Sequence, residues 1–222
     1  MECSDENTEC DLDNHANVGV FLDVDGIIIE GHIQEQYARL FNVYDEYLEI
    51  EEMYQRGIFS SDEFGERIIQ LFNKVGFSQV LAEKFYDNIK KIELAEELLD
   101  LDVTYYLVSC GPCYYIDLLA EKFEIPNAHV LCSQYSFDGK GRLLNCVGVT
   151  AEMKSSFVDN HRHNHLITVG IGDTAKYDNL FLEKTDIPIF IGSSDVFLSA
   201  TSLKPAISTI DKICLKMKNV GT

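Results

Sequence analysis

The chain has 222 residues, 46% of them hydrophobic, and a formal net charge of −19. That length supports one good core and a small second module. The acidity argues against a nucleic-acid partner, whose affinity comes from Lys and Arg neutralising phosphates, and against anionic lipid surfaces. No apolar run approaches the roughly 18 residues of a membrane helix. The start, Met1-Glu2-Cys3-Ser4-Asp5-Glu6, lacks the basic and apolar stretches of a signal peptide. A cytoplasmic protein without a membrane partner is expected, its seven cysteines reduced thiols.

Residues 1–16 are polar and acidic and read as a mobile tail. Asp11 and Asp13 share the spacing of a calcium loop, but its glycine and distal glutamate are missing. The first predicted strand is Val18–Leu22. Its unbroken apolar run fits a strand buried on both faces, as in a parallel sheet. It leads into Asp23-Val24-Asp25-Gly26. At a strand end, residues two apart project to the same side. Two acids there repel each other unless they merely close a turn or a cation neutralises them. Mg²⁺ suits such a place, because it takes one or two carboxylates and keeps room for a substrate phosphate.

From Gly31 to Ile92 the pattern is helical. Tyr37, Leu40, Phe41, Tyr44 and Leu48 make one apolar stripe, and Phe64, Ile68, Leu71 and Phe72 a second. Leu81, Phe85, Ile89 and Ile92 make a third. Ser60 or Ser61, with Asp62 and Glu63, marks a helix start. Residues 93–101 predict a short helix and 103–108 a strand. Ser109 follows, and Cys110-Gly111-Pro112-Cys113 is expected to open a helix. A serine between a strand end and a helix N-terminus caps the helix or helps cradle a phosphate. The Cys-Gly-Pro-Cys run looks like a thioredoxin-like active site, with a thiol of lowered pKa and a resolving cysteine. Against that, Ser109 stands where a tryptophan is usual. Pro126 and Pro188 are also misplaced for the cis-proline strand.

A strand is predicted over 128–132 and a hairpin from Tyr135 to Asn145, turning at Asp138-Gly139-Lys140-Gly141. A helix starts near Thr150 and carries Lys154. His161, His163 and His165 end it without a cysteine pair at zinc spacing. Leu166–Ile171 is a buried strand ending in Gly172-Asp173, with Asp178 beyond and Lys176 a rival to Lys154. Asp173 suits a metal ligand. Asp178 suits the same ion or the cap of the next helix. Further strands are expected at 187–192 and 206–210, and a closing helix at 211–218. Strands alternating with helices outside 31–92 predict an α/β fold, a doubly wound, Rossmann-like parallel sheet. The candidate polar residues fall at strand C-termini, where ligands bind such sheets.

Four ordered segments, Phe21-Leu22-Asp23-Val24-Asp25-Gly26, Leu107-Val108-Ser109-Cys110-Gly111, Lys154, and Gly170-Ile171-Gly172-Asp173 with Asp178, carry a resemblance. Together they resemble the haloacid dehalogenase (HAD) superfamily, in its phosphoserine phosphatase-like branch. The resemblance implies a phosphohydrolase core at 17–30 and 93–222, with a helical cap inserted at 31–92. It implies a Mg²⁺-dependent phosphatase acting on a small phosphorylated metabolite through an aspartyl-phosphate. Asp23 is then the nucleophile and Asp25 the general acid and base. Ser109, the Gly111 backbone and Lys154 hold the phosphoryl group, and Asp23, Asp25, Asp173 and Asp178 form the metal site. Glu30 and Arg67 are candidate contacts to the substrate's remainder. The chain departs from phosphoserine phosphatases, which have serine at the Gly26 position and glutamate at the His32 position, and a fourth motif one residue shorter. Another small phosphomonoester is therefore expected. The competing readings are a thiol-disulfide oxidoreductase using Cys110 and Cys113, and a non-catalytic binding protein on the same fold.

Overall fold

In the computed structural model, residues 17–220 are described; the acidic stretch 1–16 lies outside them. The first strand, β1 (Val18–Leu22), is buried along its whole length. It pairs in parallel with β2 (Thr104–Pro112) on one side and β5 (Ile167–Gly172) on the other. With β3 (Val130–Phe137), β4 (Leu143–Val147), β6 (Ile187–Ile191) and β7 (Leu198–Ala200), they form a seven-stranded sheet of order β4-β3-β2-β1-β5-β6-β7. Only the β3–β4 pairing is antiparallel. The chain leaves β1 in both directions, so the carboxyl ends of β1, β2 and β5 flank the place where the winding reverses. Ligands of such sheets bind there.

The pleat explains why both faces are covered. Val18, Val20 and Leu22 of β1 join one hydrophobic cluster, while Phe21 joins a second on the opposite face. Tyr105 and Leu107 of β2 alternate in the same way with Tyr106 and Val108. This is the period-two projection of a strand, with apolar residues at every position because both sides are packed.

Between β1 and β2 lie α1 (Ile33–Leu40), α2 (Tyr44–Gln55), α3 (Ser61–Lys74) and α4 (Gln79–Lys84). Ser60 starts α3 with a capping box: its Oγ accepts from the Glu63 amide (3.2 Å), and the Glu63 carboxylate accepts from the Ser60 amide (2.8 Å). The apolar stripe expected to run from Tyr37 to Leu48 is broken at Asn42, whose φ is +57°. The break separates α1 from α2 and turns Leu48 outward. Tyr37, fully buried on α1, packs edge-on against Tyr115 of α6 (Cys113–Lys122), so these helices share the core of the sheet. Asn73 at the end of α3 exchanges two hydrogen bonds with the Leu143 backbone, tying α3 to the β3–β4 hairpin.

The structure corrects several boundaries. Cys110, Gly111 and Pro112 do not open a helix. They extend β2, because Pro112 still lies opposite Ser133 of β3. The helix expected over 93–101 is reduced to α5 (Ala95–Leu99). Residues 206–210 are not a strand. They belong to α9 (Leu203–Val220), with Leu203, Ala206 and Ile210 buried at helical spacing, and β7 lies earlier. Five residues with only three apolar positions cannot by themselves distinguish the two periods. Among the described residues no helix is long and apolar enough to cross a membrane.

On the face packed by α7 (Ala151–His161), Tyr106 stacks on His129 (4.2 Å between ring centroids), with His161 and His165 at 5.2 and 5.5 Å. Burial lowers the His129 pKa, the two other imidazoles add to this, and the hydrogen bond to the Tyr105 carbonyl opposes it. The unfolded chain therefore takes up this proton first as pH falls below about 6.5, and folding loses stability there. The expected outcome is a urea midpoint that drops between neutral pH and mild acid, and drops less in His129→Phe.

Candidate active site

β1 delivers Asp23 to the carboxyl edge of the sheet, where its amide donates to the Ile171 carbonyl (2.9 Å). The residue is 5% exposed. Lys154, rising from the first turns of α7, is 1% exposed and places Nζ 2.8 Å from Asp23 Oδ1 and 2.8 Å from Asp178 Oδ1. Asp178 sits in α8 (Ala175–Leu182), and its Oδ2 accepts from the amides of Asp173 (3.0 Å) and Thr174 (2.9 Å). Of the two readings of Asp178, the closing of the helix start is the one these bonds meet, and its other oxygen anchors the lysine. Lys176 is exposed and lies over the Tyr54 and Tyr177 rings, so Lys154 is the lysine at Asp23.

Two glycines make the crowding possible. A Cβ on Gly26, whose φ is +77°, would collide with the Asp173 carboxylate, and one on Gly172 would lie 2.7 Å from Asp178 Cβ. Ligand atoms of Asp23, Asp173 and Asp178 lie within 4.8 Å of one another. With Asp25 beside them, four carboxylates meet one lysine. Burial raises the Asp23 pKa and the Asp178 charge adds to it, against the Lys154 charge. Burial likewise raises that of Asp173. For Lys154 burial acts downward, but Asp23 and Asp178 outweigh it and the ammonium is held charged. An all-oxygen, anion-rich set short of positive charge fits a hard divalent cation such as Mg²⁺.

Asp25 is held from the other side. Its Oδ1 accepts the first amide of α1, from Ile33 (2.9 Å), and its Oδ2 faces His32 Nδ1 at 3.9 Å. That separation is a charge contact rather than a hydrogen bond. The Asp25 carboxylate draws the His32 pKa upward. Ser109 is fully buried and accepts the Gly111 amide (2.9 Å). It stands behind the wall that Cys110 and Gly111 present to the cavity. The Gly111 amide, expected to be available to a phosphate, is therefore used internally, and the expected contact of Ser109 with a phosphate is not brought to the cavity lining.

The redox reading loses its premises here. Cys113 is bonded to Cys132, not to Cys110, so the expectation of reduced thiols is corrected at this pair. The parallel pairing of β2 with β3 brings the two together, and nothing local in the sequence shows it. Cys110 lies in a strand, and burial pushes its thiol pKa up to about 12, the opposite of a reactive thiolate.

Above the carboxylates opens a cavity of about 240 Å³, walled by α2, α3, the hairpin and the start of α8. His32, Tyr47, Glu51, Tyr54, Asp62, Phe64, Tyr135 and Tyr177 line it beyond the residues already described. The sequence reading missed this wall. Its signal is the spacing Tyr47, Glu51, Tyr54 on one face of α2, which the apolar stripe through Tyr44 and Leu48 hides. Two expected contacts are not brought there. Arg67 is exposed and stacks over Phe59 (4.3 Å), and Glu30 is exposed, with its backbone bonded to Lys90. Neither lines the cavity.

No family model matches the sequence, and no curated protein does. Solved structures do. An HAD family hydrolase from Salmonella enterica serovar Typhi superposes with a TM-score of 0.64 at 14% identity, over 79% of this chain; the match spans 62% of that protein. A phosphoserine phosphatase from T. onnurineus gives 0.64 at 16% identity, covering 91% of this chain and 98% of that one. A phospho-aspartyl intermediate analogue of phosphoserine phosphatase gives 0.61 at 18% identity, over 87% and 90%. The chain thus has the fold of HAD hydrolases and phosphoserine phosphatases.

Two outcomes follow from the geometry. Lys154→Met leaves Asp23 and Asp178 buried without their cation and should cost about 3–5 kcal/mol in urea unfolding without metal. Millimolar Mg²⁺ should raise the melting temperature of the wild type, by binding only the folded state, and should raise it much less in Asp173→Ala.

Proposed function

We propose that the protein is a Mg²⁺-dependent phosphatase that hydrolyses small phosphomonoesters through an aspartyl-phosphate on Asp23. The observation that carries the reading is a buried carboxylate at a strand end with one oxygen tied to a buried lysine. Lys154 occupies Asp23 Oδ1 and so leaves Oδ2 to attack. The carboxylates of Asp23 and Asp173, the backbone carbonyl of Asp25 and nearby Asp178 would hold Mg²⁺. Bound there, the ion supplies the positive charge that lets a carboxylate approach a phosphate dianion.

In the first half-reaction the bond from Asp23 Oδ2 to phosphorus forms as the bond to the alcohol oxygen breaks. The departing alkoxide takes a proton from Asp25 Oδ2, the oxygen left free by the Ile33 amide. Lys154 stabilises charge on the phosphoryl oxygens, since positioning and electrostatics carry most of phosphoryl transfer. In the second half, water gives its proton to Asp25 and its oxygen to phosphorus. Inorganic phosphate leaves, and Asp23 returns as the carboxylate. The solved structures of this fold include a phospho-aspartyl analogue, which supports the covalent step.

Phosphoserine is not the substrate in this reading, because the chain offers His32 where an acid would hold the amino group and turns Arg67 away. A cytoplasmic setting belongs to the same proposal, and the Cys113–Cys132 bond is the feature that pulls instead toward an oxidising compartment. The test is hydrolysis of an aryl phosphate with and without Mg²⁺. Wild type should turn over only with the metal, and Asp23→Asn should fall to the buffer blank. Turnover that survives Asp23→Asn, or a wild type inert with every divalent ion, would overturn the proposal.

A further inference from the structure

Resting on that phosphatase reading, we infer that Ser133 is a positioning residue for the reaction. Its hydroxyl pins the irregular end of β2 to the start of the helix that carries Lys154. It thereby fixes the wall beside Asp25 and the lysine beside Asp23 at one spacing.

β2 and β3 run in register at Leu107–Val130 and Val108–Leu131, but the next pair is Pro112–Ser133. β2 thus advances four residues while β3 advances two. An excess of this kind disrupts the ladder and bends the strand, a device common beside active sites. Here the excess holds Ser109, Cys110 and Gly111, and the last two line the cavity. Gly111 stands close to the acid that gives the proton in the proposed reaction, since a Cβ on it would lie 3.0 Å from Asp25 Oδ2. Ser133 Oγ donates to the Cys110 carbonyl at 2.7 Å and so ties the middle of the irregular stretch to β3.

The same oxygen works on the other side of β3. The pairing of β3 with β4 reaches Gln134 and Val147, and residues Gly148 to Thr150 belong to no strand or helix. The Val149 amide donates to Ser133 Oγ at 3.0 Å. Thr150 comes next and caps α7, its Oγ1 accepting from the Met153 amide (3.3 Å) and its carbonyl from the Lys154 amide (3.0 Å). Where Val149 is held therefore sets where α7 begins. Where α7 begins sets where Lys154 Nζ meets Asp23.

Ser133 lines the cavity, yet it has no proton for a phosphoryl oxygen. A serine hydroxyl carries one, and the Cys110 carbonyl takes it. The residue, 4% exposed, acts through the two backbone groups it joins. Without its oxygen the Cys110 carbonyl and the Val149 amide lose this common tie and settle on other partners. Displacements of about 1 Å at a reacting centre are enough to slow group transfer severely.

The test measures kcat and KM for an aryl phosphate with Mg²⁺ in Ser133→Thr, Ser133→Val and Ser133→Ala. Thr and Val have the same shape and differ in the hydroxyl, so strain from the added bulk is common to both. Ser133→Thr should keep kcat within about threefold of wild type. Ser133→Val and Ser133→Ala should lose about tenfold or more in kcat, with KM changed by less than about threefold. Thermal melts show which variants are folded at the assay temperature. If Ser133→Val is not, Ser133→Ala against Ser133→Thr carries the comparison. A wild type that turns over while the hydroxyl-less variants match Ser133→Thr, or lose only in KM, overturns this inference and leaves the phosphatase reading standing. A wild type inert with every divalent ion overturns both.

Discussion

A single buried ammonium organises the carboxyl edge of the sheet. Lys154 bridges Asp23, which ends β1, and Asp178, which closes the start of α8. Three elements distant in the chain meet at one nitrogen. The two oxygens it binds come from groups that would otherwise repel each other across a few ångströms of low dielectric. The arrangement is costly to desolvate and is retained although apolar residues could fill the space. It also leaves the local charge unbalanced, since Asp25 and Asp173 stand next to the pair without an equivalent cation. A shortage of positive charge is thus a property of the folded arrangement as well as of the proposed chemistry.

The walls of the cavity follow from packing more than from charge. Tyr37 and its aromatic neighbours join α1 and α6, so the helices between β1 and β2 are seated on the same core as the sheet. Asn73 couples α3 to the hairpin, whose strand β3 runs beside β2. Two supports of different kind, one apolar and one hydrogen-bonded, therefore set the position of the cavity roof relative to its floor. The disulfide adds a third, by joining the first residue of α6 to β3.

What the sequence showed and what it hid divide along physical lines. The strands around Asp23, Ser109 and Asp173 were legible because burial on both faces leaves unbroken apolar runs. Their polar ends stand out for the same reason. Lys154 was legible only by its place among ordered motifs, since a lone lysine resembles any surface lysine. The cavity wall was hidden by the break at Asn42: a small change in where a helix restarts decides which side of Tyr44–Gln55 faces inward. Arg67 was misplaced for the same reason, a helix face being a tertiary property. The Cys113–Cys132 pairing depends on which strands become neighbours, and no local spacing carries that. The final helix was split because Ala206–Ile210 is apolar enough for a strand, while the buried positions at 203, 206 and 210 follow a helical period.

The phenol pair of Tyr54 and Tyr177 has a consequence for traffic through the cavity. One ring belongs to α2 and the other to α8, and both are half-exposed, so their shared hydrogen bond works as a latch across the opening. Each hydroxyl can trade its partner for water, so releasing the latch costs on the order of 1 kcal/mol. Since α8 also carries Asp178, the helix tied to α2 through Tyr177 is the one that steadies Lys154, so the cavity wall and the charge beside Asp23 share one support.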